Sequence, residues 1–286
     1  MTGLRDLVEL VRAPAALTVP GDVLAGAAAA GFPIGRRWLG CAAGSVCLYW
    51  AGMALNDYAD RDLDRRERPE RPIPSGRVTP RLALTVASGL TVAGVAVAGL
   101  SGGRPALRVV VPLAATVWLY DLVLKNTVAG PAGMAAARTL NVLMGSGPRA
   151  EAVAPALTLG GHVLVVTTLS LGEVRGTRRE VPLAALAGTA VVASATLAGT
   201  RPWRSASWPA TAGLAAVYAA TVAGPQSAAV QQPTAGRIRA AVGAGIVGLL
   251  PLQAALTARS GAVRAGLALA AAFPAARWLA GKVAAT

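Results

Sequence analysis

The sequence predicts an all-α, polytopic transmembrane helical bundle of nine or ten spans around a central cavity. Three observations carry that expectation. Hydrophobic residues make up 54% of the 286 residues and charged residues only 14%, well below the charged share of an ordinary soluble domain. Apolar stretches of about 15 to 22 residues recur from end to end, near the length that crosses a hydrocarbon core. The 33 glycines, together with many alanines, suit helices that must approach closely in lipid.

The first expected span, residues 13–30, carries Pro20-Gly21-Asp22, and a broken helix beside a cavity tolerates an acid at that depth. It is too long for a signal-peptide core and no cleavage site follows it, so the chain is expected to insert whole. The second span, 38–55, runs into a polar stretch that extends to residue 80. Spans 82–100, 107–122, 129–145, 154–171 and 181–198 follow, then 208–223, 238–256 and 263–280. Glycine and alanine dilute the last third, which leaves the count at nine or ten. The chain reads as one membrane domain, 1–286.

The net charge is +14. In a soluble protein this would point to nucleic acid, but here the basic residues fall in short loops, where the positive-inside rule accounts for them. The expected setting is the inner (cytoplasmic) cell membrane, with no nucleic-acid partner. The polar loops 57–80 and 172–180 are then both cytoplasmic and can close over one cavity. Cys41 and Cys47 lie roughly 9 Å apart along one helix, too far for a disulfide, and read as packing residues.

Six of the thirteen acids fall between residues 57 and 70. The run Asn56-Asp57-Tyr58-Ala59-Asp60-Arg61-Asp62-Leu63-Asp64 leads directly into Arg65-Arg66-Glu67-Arg68-Pro69-Glu70-Arg71-Pro72-Ile73-Pro74-Ser75-Gly76-Arg77. If the second span continues as helix through Asp64, then Asp57, Asp60 and Asp64 share an arc of about 60°. Asn56 lies at its edge, and Asp62 points away and is expected to pair with arginines. Three close carboxylates call for a cation. Hard oxygen ligands select Mg²⁺ or Ca²⁺, and Mg²⁺ takes one or two carboxylates plus phosphate oxygens and water. Arg68, Arg71 and Arg77 offer forked donors for phosphate. A diphosphate bridged by Mg²⁺ to Asn56, Asp57, Asp60 and Asp64 explains both charge types together.

This stretch resembles the first signature of the UbiA superfamily of membrane prenyltransferases. The finer pattern is similar to the EboC-like branch, through Leu17-Thr18-Val19-Pro20-Gly21-Asp22, Ala129-Gly130-Pro131, Arg138-Thr139-Leu140-Asn141 and Leu169-Ser170-Leu171-Gly172-Glu173-Val174-Arg175-Gly176. The resemblance implies transfer of an isoprenyl group from its diphosphate to a small, usually aromatic, acceptor with Mg²⁺. It also exposes a departure. Positions of the family's second acidic motif read Ser170, Glu173 and Thr177, so only Glu173 keeps a carboxylate.

Other residues are weighed singly. Tyr120 and Lys125 match a family Tyr–Lys neighbourhood loosely, and a lysine at a span end also serves as a topology anchor. Arg138 and Asn141 lie one turn apart within a span, where an ionisable group is functional by default; the diphosphate or Asp121 is the expected partner. Asp22, Tyr120 and Asn141 are candidates for the acceptor cavity. His162, the single histidine, reads as a hydrogen-bonded packing residue, and Trp38, Trp203, Trp208 and Trp278 as interface anchors.

The sequence thus predicts an integral membrane prenyltransferase. Asp57, Asp60, Asp64 and Glu173 form its catalytic set, and Arg68, Arg71, Lys125 and Arg138 bind diphosphate. The rival is a non-catalytic membrane carrier or binding protein for an isoprenoid or aromatic metabolite. A CDP-alcohol phosphatidyltransferase is disfavoured, because its Asp-Gly-x-x-Ala-Arg run is missing.

Overall fold

The computed structural model describes residues 3–198 and 206–274. Among them every regular element is helical: α1 (Leu4–Leu10), α2 (Val19–Ala29), α3 (Arg36–Ala59), α4 (Arg61–Glu67), α5 (Pro80–Leu119), α6 (Gly130–Ser146), α7 (Val153–Ser170), α8 (Glu180–Leu197), α9 (Trp208–Gln231), α10 (Ala235–Arg259) and α11 (Val263–Ala271). Trp203, Trp278 and the end of the last expected span lie outside the described residues.

Each expected span falls on helix, but the spans differ in kind. Among the described residues five helical segments are long and apolar enough to cross a membrane: Arg36–Ala59, Pro80–Leu124, Ala150–Ser170, Glu180–Leu197 and Ala235–Arg259. The second of these holds two expected spans. Gly103 inside α5 has φ 67°, a left-handed conformation that glycine adopts without penalty, and there the helix folds back. The Trp118 indole consequently donates to Thr91 Oγ1 at 3.0 Å across the hairpin. The count of nine or ten is not reproduced by the length-and-composition criterion. Residues 13–30 divide into a 3₁₀ turn and the eleven-residue α2, and Pro20, in the first turn of α2, has no N–H to carry helix hydrogen bonding back across the junction.

Helix α2 is the hub. It packs on α3, α6, α7 and α10, and so joins a first half (α2, α3, α5, α6) to a second (α7–α10). Contact with α6 is at backbone distance. A Cβ on Gly26 would collide with the Val142 carbonyl, and one on Gly145 with the Val23 carbonyl. These two glycines therefore have positional meaning that composition could not reveal. Val23, Leu48, Val110 and Met144 centre the first core, and Leu159, Tyr218, Leu252 and Leu256 the second. Cys41 is buried and neither cysteine forms a disulfide.

Candidate active site

The acidic run sits where α3 gives way to α4. Helix α3 ends at Ala59, and Asp60 serves as its C-cap and as the N-cap of α4, so the expected uninterrupted helix through Asp64 is corrected to two helices meeting at Asp60. Hydrogen bonds still bridge the junction, from Asp60 N to Asn56 O at 2.9 Å and from Asp64 N to Asp60 O at 2.8 Å. Side chains therefore keep nearly helical phase. Asp57 and Asp64 are each only 3% exposed. Asp62 points outward and pairs with Arg65 at 2.7 Å and Arg61 at 3.8 Å, as the spacing implies.

Each inward acid meets a cation. Arg71 reaches Asp64 at 2.7 Å and Asp57 at 3.4 Å through one nitrogen, Nη1. The proline-rich turn aims it there. Ser75 N and its hydroxyl bond the Arg71 carbonyl, Val78 N bonds Pro72 O, and Ile73 and Val78 bury beside Leu55 and Leu10. Lys125 Nζ lies 2.7 Å from Asp60 Oδ1, carried inward by the π-helical turn Tyr120–Leu124. Asn56 donates to Asp121 Oδ1 at 3.1 Å. Its carboxamide nitrogen thus serves a second buried acid, and the expected metal-ligand role for Asn56 rests on its oxygen alone.

Arg12 is a participant that sequence reasoning missed. Its Nη2 donates to Asp57 Oδ1 at 2.8 Å, from the single non-glycine residue with positive φ (45°) among the described residues. Such a conformation costs about 1–3 kcal/mol and persists where the surroundings impose it. Its sequence signal was faint: an arginine before Pro14 at the mouth of a span. Helix α1 leads up to it and is latched by Arg77, which bonds Asp6 at 2.9 Å and Glu9 at 2.7 Å. Arg77 holds the Glu9 carboxyl below its ordinary value; for Asp6 the Gly3 backbone N–H lowers it first and Arg77 second.

The remaining candidates separate into two places. Arg138 pairs through Nη1 with Asp22 Oδ2 at 2.6 Å, rather than with Asp121, one of its two expected partners. Asn141 donates to the same oxygen at 2.8 Å and accepts from the Ser45 hydroxyl. Gln253 donates to Asp22 Oδ1 at 2.6 Å. Asp22 is fully buried, and the close α2–α6 crossing is what lets it reach both α6 residues. Tyr120 is partly buried in the π turn beside Asp121. Arg68 is exposed and makes no side-chain bond among the described residues. Glu173 sits in the α7–α8 loop, where Arg239 binds its carbonyl at 2.8 Å. Its carboxylate makes no bond among the described residues, and burial raises its pKa against the opposing Arg239 charge. His162 is buried between Tyr218 (2.9 Å) and the Gly245 carbonyl (3.0 Å), a packing arrangement.

The donor set suits Mg²⁺. It is all oxygen, and a positive charge, Arg71, already stands where Asp57 and Asp64 converge. No three His, Cys, Asp or Glu side chains among the described residues form a ready metal cage. Mg²⁺ takes one or two carboxylates and fills its other positions with phosphate oxygens and water.

The described residues thus form a helical bundle in which three carboxylates and three cations gather at one helix end. The sequence profile of the UbiA prenyltransferase family matches residues 16–170, and the chain belongs to that family. It is 38% identical over 129 residues to a digeranylgeranylglyceryl phosphate synthase of Methanopyrus kandleri, covering 43% of this chain and 45% of that one. It is 37% identical over 128 residues to the corresponding synthase of Ignicoccus hospitalis, covering 43% and 40%. The chain thus spans less than half the length of these curated relatives. Among solved structures, a digeranylgeranylglyceryl phosphate synthase superposes with TM-score 0.66 at 17% identity over 92% of this chain and all of that one. A UbiA homologue of Archaeoglobus fulgidus bound to GPP and Mg²⁺ gives 0.64 at 14% identity, over 90% and 99%. At these identities the likeness is one of fold.

Proposed function

We propose that the protein is an integral membrane prenyltransferase that moves an isoprenyl group from an isoprenyl diphosphate to an anionic glyceryl-phosphate acceptor. The observation that carries this reading is the convergence of Asp57, Asp60 and Asp64 with Arg12, Arg71 and Lys125 at one helix end. The aromatic acceptor expected from the sequence has no counterpart among the relatives' names, which are those of glyceryl phosphate synthases. The motif faces the cytoplasm on the positive-inside bias, in a bundle of nine or ten crossings.

Asp57, Asp60 and Asp64, with Asn56 and Glu173 assisting, would hold Mg²⁺, which neutralises diphosphate charge when bound. Arg71, Lys125 and Arg12 then exchange a carboxylate for diphosphate oxygens, and exposed Arg68 closes on the same group. These preplaced cations stabilise the charge that develops as the allylic carbon–oxygen bond breaks and its electron pair leaves with the diphosphate. Apolar helices exclude water from the allylic cation. An acceptor oxygen captures it and releases one proton. Arg138, held apart from the motif by Asp22, offers its remaining donors to the acceptor's phosphate.

The test is a panel of isoprenyl diphosphates from ten to fifty carbons in purified membranes, with and without Mg²⁺, against glyceryl-phosphate and aromatic acceptors. Mg²⁺-dependent transfer to the former, abolished in Asp60→Ala, is expected. Donor binding without turnover on any acceptor would instead establish the carrier reading, which the single second-motif acid, Glu173, favours.

A further inference from the structure

Gln253 gave no functional signal in the sequence, and it lies in α10, beyond the residues the family profile matches. Its side chain is fully buried. Nε2 donates to Asp22 Oδ1 at 2.6 Å and to the Thr18 carbonyl at 2.7 Å, while Oε1 is buried without a partner. An amide that strands its own carbonyl in an apolar interior is unfavourable there unless the bonds at its other end are needed. Both bonds end at the start of α2, and one of them orients the Asp22 carboxylate.

That carboxylate is fixed from three directions. Gln253 holds Oδ1, while Arg138 and Asn141 share Oδ2, and Ser45 secures Asn141 in turn. Within this group Arg138 alone reaches open space, with its side chain 15% exposed and Asp22 at 0%. One of its terminal nitrogens is committed to Asp22 and the rest of the fork is available.

We infer that Gln253 is a positioning residue: by orienting Asp22 it fixes the Arg138 guanidinium that receives the anionic head of the acceptor. The inference rests on the prenyl-transfer reading for the identity of that ligand. A carboxylate held at Oδ2 alone can swing about its side-chain torsions, and the guanidinium bound to it moves with it. Charged hydrogen bonds weaken steeply as they leave alignment. Helix α10 would then govern selectivity for the acceptor while leaving the donor site alone.

The experiment uses the full chain in lipid nanodiscs and compares wild type with Gln253→Met, which keeps side-chain length and loses both bonds, and with Gln253→Asn, which keeps the amide but withdraws it. Thermal stabilisation is measured with a monoalkylglycerol phosphate alone and with inorganic pyrophosphate plus Mg²⁺ alone. Steady-state KM is measured for donor and acceptor. Expected in Gln253→Met are an acceptor KM raised about tenfold, the scale of one misplaced charged hydrogen bond, loss of stabilisation by the phosphate lipid, and an unchanged pyrophosphate response. In an Arg138→Met background the same substitution should add nothing to the acceptor KM, since the two act as one unit. Unchanged acceptor binding, equal loss of both responses, or a full effect persisting in Arg138→Met would overturn the proposal. Should Gln253→Met not fold, Gln253→Asn decides by the same readouts. Absence of turnover in wild type counts against the function reading, and the two stabilisation responses still judge the positioning role.

Discussion

Two buried acid–cation clusters show opposite designs. At the α3–α4 junction, Asp57, Asp60 and Asp64 face cations that arrive from loops and helix ends. Arg12 is 38% exposed, Arg71 20% and Lys125 10%, and each is carried on a turn or at a helix end rather than in the middle of a packed helix. At the centre of the bundle Asp22 is fully buried, and its partners come from two packed helices, α6 and α10. The difference lies in the freedom of the partner. A cation carried on a turn gives up its carboxylate more readily than partners set in packed helices, so ligand exchange is proposed for the first cluster and structural support for the second.

The sharpest way to break this comparison is Asp22→Ala. Removing one partner of a buried ion pair leaves the other charge uncompensated, at about 3–5 kcal/mol. A large fall in thermal stability in detergent, with loss of folded yield, is expected. Asp60→Ala should leave the fold intact and reduce transfer roughly a hundredfold or more, the scale of losing one preorganised electrostatic group; initial rates with saturating donor and Mg²⁺ measure it. If Asp60→Ala unfolds the protein and Asp22→Ala does not, the assignment of roles is reversed.

Gly145→Val sharpens the structural side. The new side chain meets the Val23 carbonyl and Ala27 backbone of α2, and overpacking costs about 1–3 kcal/mol. A lower melting temperature with an unchanged Mg²⁺ requirement is expected. Arg12→Ala sharpens the ligand side. Asp57 keeps Arg71 but loses its nearer cation, so metal affinity without donor should rise while donor KM worsens; calorimetric titration of Mg²⁺ separates the two effects.

The smallest effect concerns the α1 latch. Asp6 and Glu9 have folded-state pKa values lowered beneath their ordinary ones. Their contribution is complete above the ordinary carboxylate range near pH 4 and is lost as pH falls through the lowered values. Hydrogen exchange of the α1 amides, corrected for intrinsic rates, should accelerate in that acid window and at neutral pH in Arg77→Ala. An acid-insensitive α1 would show that Arg77 does not hold it.

The acidic motif was legible because its chemistry is local. Asp57, Asp60 and Asp64 repeat at helical spacing, and Arg68 and Arg71 follow within a dozen residues, so phase alone separated Asp62 from its neighbours. Arg138 and Asn141 were legible as anomalies in an apolar span, yet their partner was not, since nothing local ties them to Asp22. Arg12 and Gln253 were invisible for the same reason. Each acquires meaning only through a contact more than forty residues away.

By itself the sequence determined a helical membrane chain, the position of its stripe of acids followed by arginines, and its family likeness. These follow from composition, helical period and short-range spacing, which are properties of consecutive residues. Tertiary structure alone decided where α3 breaks at Asp60, that α5 is a hairpin, which cation each acid holds, and that Asp22 gathers Arg138, Asn141 and Gln253. The physical reason is packing. Gly26 and Gly145 bring α2 and α6 to backbone contact, and at that distance side chains from α6 and α10 meet on the one carboxylate of α2.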